Sequence, residues 1–120
     1  MNIGIDLDGT IYKSNTLIPG AFEAISLLQK KHNIFFLTNN SSRTPTYILT
    51  KLIKMLEIEI ELDNLITPLL VAKYILRKTE QVVYIHGSKT MKNYMISSNF
   101  SISNSLDSSH ILLIGRKGSY

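Results

Sequence analysis

The sequence predicts an α/β fold with a parallel sheet. Three observations support this prediction: short apolar runs alternate with segments of helical periodicity, two of the runs are apolar throughout, and polar residues follow the runs. Residues 34–37 show the unbroken apolar pattern of a strand that is covered on both faces, as in parallel sheets. Residues 82–85 are another run of this buried type, and residues 111–115 are one more apolar strand. A strand, a helix and a second strand in this order form a right-handed crossover. We therefore expect a Rossmann-like arrangement.

The first predicted strand, residues 3–7, ends in two acids and a glycine turn. Asp6 and Asp8 are two positions apart, so both carboxylates point to the same side of an extended backbone. Unpaired carboxylates repel each other, and Mg²⁺, which prefers hard oxygen ligands, removes that repulsion. Gly9 allows a sharp turn that presents amide groups to an anion. The alternative is a solvated hairpin turn, which residues 10–15 do not favour because they lack a clean alternating partner strand.

The remaining elements are predicted from apolar periodicity and capping residues. Residues 11–18 carry little periodic pattern, and the serine-rich residues 97–109 are expected to form a loop. The predicted helices span 20–31, 45–56, 68–78 and 88–97, and the later strands span 34–37, 65–66, 82–85 and 111–115. The helix residues expected to face the core are Ala21, Ala24, Ile25 and Leu28, then Tyr47, Ile48, Leu52 and Met55 or Leu56, then Val71, Tyr74 and Ile75, and finally Met91, Tyr94 and Met95.

A second polar segment follows the second predicted strand. It begins with Thr38, Asn39 and Asn40. Parallel neighbours have their carboxyl ends at one edge of the sheet, so we expect Thr38 to lie near Asp6 and Asp8. A hydroxyl, two carboxamides and the amides of a turn are suitable donors to phosphate oxygens. This edge is therefore a candidate phosphate site.

The alternative for this second segment is a polar loop that only caps the next helix. Thr44 and Pro45 suit that purpose, as N-cap and first helical residue. The six residues before Thr44 are more polar than a cap requires, which favours a binding function.

Composition excludes several other classes of protein. The 120 residues, 44% of them hydrophobic, suffice for one domain or part of a larger one. The chain has no cysteine and no apolar run of membrane-spanning length, and we expect no signal peptide because Met1 leads directly into the first strand. Its charge of +4 comes from lysines on polar helix faces, which we interpret as solvated and not as a nucleic-acid surface. We expect a cytoplasmic protein that binds a small phosphorylated metabolite.

The motifs at the two strand ends resemble those of the haloacid dehalogenase superfamily. Residues 6–10 and 36–41 carry this likeness. Residues 8–12, 18–21 and 37–44 narrow it to the sugar and nucleotide phosphatases that are related to p-nitrophenyl phosphatase, phosphoglycolate phosphatase and pyridoxal phosphatase. The likeness extends over nearly the whole chain but covers only the first half of such an enzyme.

The resemblance implies a Mg²⁺-dependent phosphatase that works through an aspartyl-phosphate. Asp6 would be the nucleophile, and Asp8 would act first as an acid and then as a base. The Asp6 carboxylate and the Asp8 backbone carbonyl would hold Mg²⁺. The residues that would bind the phosphate are Gly9, Thr10, Thr38, Asn39 and Asn40.

The resemblance also implies a domain organisation. Residues 1–79 would form the N-terminal part of an incomplete core, and residues 80–120 the start of an α/β cap domain. The family's later lysine and acids would be missing, so weak or no turnover is expected of this chain alone. Residues 3–7 would have one open edge, which invites self-association. The alternatives are a non-catalytic module that binds phosphate, metal or a partner, and a truncated product without independent function.

Overall fold

A computed structural model of the chain describes residues 1–76 and 81–115. It divides into two compact units: one is formed by Met1–Asn39 and Pro45–Thr67, the other by Asn40–Thr44 and the described residues from Pro68 onward. Both units have a parallel sheet with helices, which confirms the predicted α/β class. The domain boundary predicted between residues 79 and 80 lies outside the described residues and stays a prediction.

The first unit contains the predicted strand–helix–strand crossover. Its elements in chain order are β1 (Asn2–Asp6), β2 (Tyr12–Lys13), β3 (Thr16–Leu17), α1 (Ala21–Leu28), β4 (Asn33–Leu37), α2 (Pro45–Leu56), a 3₁₀ turn (Leu62–Asn64) and β5 (Leu65–Ile66). Strands β1, β4 and β5 pair in this order and in parallel. Asp6 lies opposite Leu37, and Phe36 lies opposite Leu65. This register aligns the carboxyl ends of the strands.

Helix α2 contributes an apolar stripe to the core of the first unit. Ile48, Leu52 and Leu56, four residues apart, are all buried, as predicted. The predicted burial of Tyr47 is wrong, since its side chain is 48% exposed. Tyr47 precedes the stripe by one residue, and one residue turns a helix by roughly 100° away from it. Helix α1 shows a similar error, because Ala24 was expected to face the core and is exposed. The helix is also shorter than predicted, since it spans only Ala21–Leu28.

A hairpin forms where no partner strand was expected. Strands β2 and β3 are antiparallel, with Tyr12 opposite Leu17. Their turn begins at Ser14, which has a positive φ of 55°. The Ile18 amide donates to the Ile11 carbonyl at 2.9 Å and extends the hairpin. Strands of two residues are too short to show an alternating pattern, which is why the sequence did not predict them.

The second unit has its own sheet and core. Its elements are α3 (Pro68–Leu76), β6 (Val83–His86), α4 (Lys89–Ser97), β7 (Ile102–Ser103) and β8 (Ile111–Ile114). The strands are parallel in the order β7-β6-β8. Ser88 caps α4, because its hydroxyl accepts a hydrogen bond from the Met91 amide at 3.2 Å. The buried core consists of Leu69, Val83, Ile85, Met91 and Met95. The predicted burial of the two methionines is therefore confirmed.

Two expectations for the second unit are wrong, namely the inner face of α3 and the uninterrupted loop over 97–109. The face of α3 with Val71, Tyr74 and Ile75 is exposed, and Leu69 is buried in its place. Helix α3 is apolar on most of its circumference, so periodicity could not identify its inner face. Strand β8 is covered on one face only, because Leu112 and Ile114 are exposed. The predicted loop over 97–109 includes the short strand β7.

Within the described ranges, no helix combines the length and the apolar character that crossing a bilayer requires.

Candidate active site

The carboxyl ends of β1 and β4 form the polar edge that the sequence predicted. The Leu7 amide donates to the Leu37 carbonyl at 3.0 Å and continues the pairing one residue beyond β1. Asp8 and Thr38 are the next residues on their respective segments. The Thr38 hydroxyl donates a hydrogen bond to Oδ2 of Asp8 at 3.4 Å. The parallel pairing therefore places a hydroxyl from one strand end beside an acid from the other.

A tight turn follows β1 and carries the second acid. The Leu7 carbonyl accepts hydrogen bonds from the amides of Thr10, at 3.0 Å, and Ile11, at 2.9 Å. Gly9 has a φ of 84°, a left-handed conformation that favours glycine. Its amide donates to the Tyr12 carbonyl at 2.8 Å. The turn is thus fixed by main-chain hydrogen bonds and by the conformation of one glycine.

The predicted phosphate-binding residues occupy different settings. The amides of Gly9 and Thr10 are engaged within the turn, while the side chains of Thr10 and Asn39 are exposed. Oδ1 of Asn40 accepts hydrogen bonds from the amide and the hydroxyl of Ser42, at 2.9 and 3.0 Å. Asn40 therefore stabilises its own loop, which belongs to the second unit. Contacts of these residues with phosphate stay predictions.

Tyr12 is a residue of this site that the sequence did not single out. Its side chain is only 3% exposed. Burial, followed by the negative charges of Asp8 and Asp6 and by the neighbouring Tyr47, raises the pKa of Tyr12 to about 12. Both carboxylates thus act on one phenol. Tyr12 lies directly after the acidic motif, but its burial depends on packing that a local pattern does not show.

Lys51 is the second residue that was missed. The sequence placed it among lysines on solvated helix faces, and the structure adds two contacts of Lys51 that this interpretation did not include. Its Nζ donates to the Ser14 carbonyl at 2.7 Å and lies 4.1 Å from the centre of the Tyr12 ring. Helix α2 is therefore linked to the hairpin that follows the acids.

The two acids provide the donors for a metal. Asp6 and Asp8 are both exposed, and no group of three or more His, Cys, Asp or Glu side chains suited to a metal occurs in the described part of the chain. Mg²⁺ takes one or two carboxylates and completes its octahedron with water and phosphate oxygens. The donors present fit Mg²⁺ chemically, while their assignment as ligands stays a prediction.

Comparison with known proteins identifies similar chains. Residues 3–101 match the family of haloacid dehalogenase-like hydrolases. An acid sugar phosphatase of Staphylococcus epidermidis is 36% identical over 103 residues, which are 83% of this chain and 39% of that protein. The p-nitrophenyl phosphatase from Archaeoglobus fulgidus superposes with a TM-score of 0.78 at 26% identity, over 92% of this chain and 42% of the other.

A further structure shares the fold alone. The glycerol phosphate phosphatase from Mycobacterium tuberculosis, in complex with magnesium, is 21% identical, with a TM-score of 0.73 over 95% of this chain and 35% of the other. The chain thus spans less than half the length of each of these relatives.

Proposed function

Because the chain belongs to the haloacid dehalogenase-like hydrolases, we propose that it hydrolyses a small phosphomonoester through an aspartyl-phosphate, with Mg²⁺ as cofactor. The observation that carries the proposal is the hydrogen bond of 3.4 Å between Thr38 and Asp8, at the edge where Asp6 also ends its strand. The similar proteins from Staphylococcus epidermidis and Archaeoglobus fulgidus, an acid sugar phosphatase and a p-nitrophenyl phosphatase, support the same reaction class.

The proposed chemistry uses the two acids in turn. A carboxylate oxygen of Asp6 attacks phosphorus, and a new P–O bond forms as the bond to the ester oxygen breaks. Asp8 donates a proton to that leaving oxygen, which departs as an alcohol. Asp8 then accepts a proton from the water that attacks the acyl phosphate. Inorganic phosphate leaves, and the Asp6 carboxylate and the Asp8 proton are restored.

Thr38 is the proposed first contact of the phosphoryl oxygens. A hydroxyl has one proton to donate, and in this structure Thr38 donates it to Asp8. A hydrogen bond of 3.4 Å is long and weak, so the proton can turn to a phosphate oxygen at small cost. Asp6 and Asp8 would hold Mg²⁺, which when bound offsets their repulsion with the phosphate. Gly9, Thr10, Asn39 and Asn40 are proposed as further phosphate contacts.

Beryllofluoride, which bonds to an aspartate carboxylate as a phosphoryl group does, tests the proposal. We expect fluorine NMR of the full chain with Mg²⁺ to show a bound signal that Asp6→Asn abolishes. Asp63→Asn, which changes an exposed acid of the 3₁₀ turn, is the matched control and should keep the signal. A signal that survives Asp6→Asn, or one that is absent from the unmodified chain, refutes the proposal.

A second candidate function is the binding of phosphate and Mg²⁺ without turnover. It is favoured by the site itself, since the Thr38 hydroxyl and the Asp8 carboxylate lie together at the sheet edge and can bind ions without any reaction. Both functions predict the beryllofluoride signal, and they differ in the hydrolysis of p-nitrophenyl phosphate. Turnover near the usual enzymatic range of about 1–10³ s⁻¹ would exclude mere binding. A bound signal without turnover would favour it.

The proposed partner is a small phosphorylated metabolite, neither a nucleic acid nor a membrane. Within the described residues β1 pairs on one side only, with β4, so self-association through its other edge stays a prediction that sedimentation can test. The cytoplasmic location expected from the sequence also stays a prediction.

A further inference from the structure

One side chain connects helix α2 to the hairpin of the first unit. Nζ of Lys51 donates to the Ser14 carbonyl at 2.7 Å, a short hydrogen bond with a charged donor. The same ammonium lies 4.1 Å from the centre of the Tyr12 ring, within the range of a cation–π contact. Ser14 lies at the hairpin turn and Tyr12 on its first strand, so one charge fixes both.

The hairpin in turn holds the segment that carries the acid. The Tyr12 carbonyl accepts a hydrogen bond from the Gly9 amide at 2.8 Å, and Asp8 and Tyr12 form an isolated β-bridge. Tyr12 is 3% exposed, so its ring cannot move without disturbing the core. A displacement of Tyr12 would therefore be transmitted to Gly9 and Asp8 through main-chain contacts.

We propose that Lys51 is a positioning residue of the candidate active site: it clamps Tyr12 and the Ser14 turn to α2 and thereby keeps Asp8 within reach of Thr38. Its importance for catalysis rests on the proposed function, whereas the clamp itself does not. Lysine suits the position because a flexible stem carries a compact charge with several donors. Methionine has a similar length but provides neither the charge nor the donor.

A clamp and a general contribution to stability predict different results. A residue that only stabilises the fold would change the hydrogen exchange of all amides that exchange through global unfolding. A clamp acts on the turn after β1 through local opening. Exchange of the Gly9 amide reports directly on the opening of that turn, because this amide donates its hydrogen bond to the Tyr12 carbonyl.

The experiment compares three variants of the full chain by NMR hydrogen exchange. Lys51→Met removes the charge, and Lys51→Arg retains a cation and donors. Lys54→Met is the matched control, since Lys54 lies on the same helix as Lys51. Both lysines line one groove, which has a volume of about 510 Å³. We expect Lys51→Met to speed exchange at Gly9 about tenfold, the size expected for one lost contact of this kind, and to leave the amides of β4 unchanged. Lys51→Arg should recover most of the protection, and Lys54→Met should match the original chain.

Titration with beryllofluoride and Mg²⁺ measures the consequence at the site. We expect the apparent affinity to fall about tenfold in Lys51→Met and to be restored in Lys51→Arg. Unchanged exchange at Gly9, an equal acceleration at Gly9 and in β4, or unchanged affinity despite faster exchange at Gly9 would each overturn the inference. If the original chain binds no beryllofluoride, the proposed function fails, and the exchange at Gly9 still decides whether Lys51 is a clamp.

Discussion

Thr38 and Asp8 are 30 residues apart in the sequence, yet the hydroxyl of one lies 3.4 Å from a carboxylate oxygen of the other. The parallel pairing of β1 with β4 produces this distance, because Asp6 and Leu37 are opposite each other and the segments that follow both strands continue in the same direction. The acid and the hydroxyl of the proposed reaction are therefore supplied by two separate segments, and each can be substituted while the other is retained.

Removal of the Thr38 hydroxyl should weaken anion binding and leave the fold intact. Thr38→Val keeps the branched shape, whereas Thr38→Ser keeps the hydroxyl. A hydrogen bond to a charged group is worth about 1.5–3 kcal/mol, so we expect beryllofluoride affinity to fall roughly 10–100-fold in the valine variant. The serine variant should stay within about threefold of the original chain, since its donor is retained. Titration by fluorine NMR measures both, and equal affinities of the two variants would contradict the role of the hydroxyl.

Gly9→Ala should destabilise the protein through its backbone alone. The residue has a φ of 84°, and no described atom outside Gly9 and its two chain neighbours lies within 4 Å of the position that a Cβ would take. A left-handed conformation costs a residue with a side chain about 1–2 kcal/mol, and we expect that loss of unfolding free energy. Gly9→Asn should lose less, because asparagine tolerates this conformation better. Urea denaturation tests the order, and an alanine variant as stable as the original chain would show that the turn can adopt another conformation.

The Tyr12 phenol predicts a loss of stability at alkaline pH. Its pKa is about 12 in the folded protein, against an ordinary value of 10.0. The unfolded chain therefore releases this proton first, so the stabilisation is intact below pH 10 and is lost as the pH rises from 10 to 12. The total loss is about 2.7 kcal/mol, of which about 2 kcal/mol falls between pH 10 and 12 because the phenol is only half ionised in one of the two states at each of these limits.

Tyr12→Phe isolates this effect, because every other titrating group is common to both proteins. The free energy of unfolding of the original chain should fall by about 2 kcal/mol relative to the phenylalanine variant between pH 10 and 12. Below pH 10 the difference should be constant. A difference that does not change over the whole range would mean that the phenol ionises equally easily in both states.

Leu52→Ala tests the core of the first unit. Leu52 is fully buried at the centre of the α2 stripe. Its truncation removes apolar contacts and leaves a cavity, which should cost about 2–5 kcal/mol of unfolding free energy. Ile53→Ala is the control on the same helix, since Ile53 is 37% exposed, and should cost less than about 1.5 kcal/mol. Similar costs for the two variants would mean that α2 is packed differently.

Most of the fold was predictable because its signals are local. The unbroken apolar run at 34–37 indicated a parallel strand, and Thr44 and Pro45 fixed the start of α2 within a residue. The inner face of α3 was not predictable, since apolar residues surround that helix. The hairpin was missed because two-residue strands carry no periodicity.

The site was partly predictable for a topological reason. Parallel pairing alone brings Asp8 and Thr38 to one edge, and sequence order sufficed to predict that pairing. The contacts of Lys51 depend on where α2 crosses the hairpin, which no local pattern reports. Likewise, the hydrogen bond that Oδ1 of Asn40 accepts from the Ser42 amide depends on the shape of their loop.

The parallel sheets have a consequence for folding kinetics. The first sheet can form only when Ile3 has paired with Ile34, and the second only when Val83 has paired with Ile111. Each encounter closes a long loop, whose entropic cost precedes any gain from pairing. The helices between these strands can form within microseconds. The connecting segments are therefore already partly helical while the strands are still unpaired. A stopped-flow experiment should therefore find helical circular dichroism appearing earlier than protection of the β1 and β4 amides.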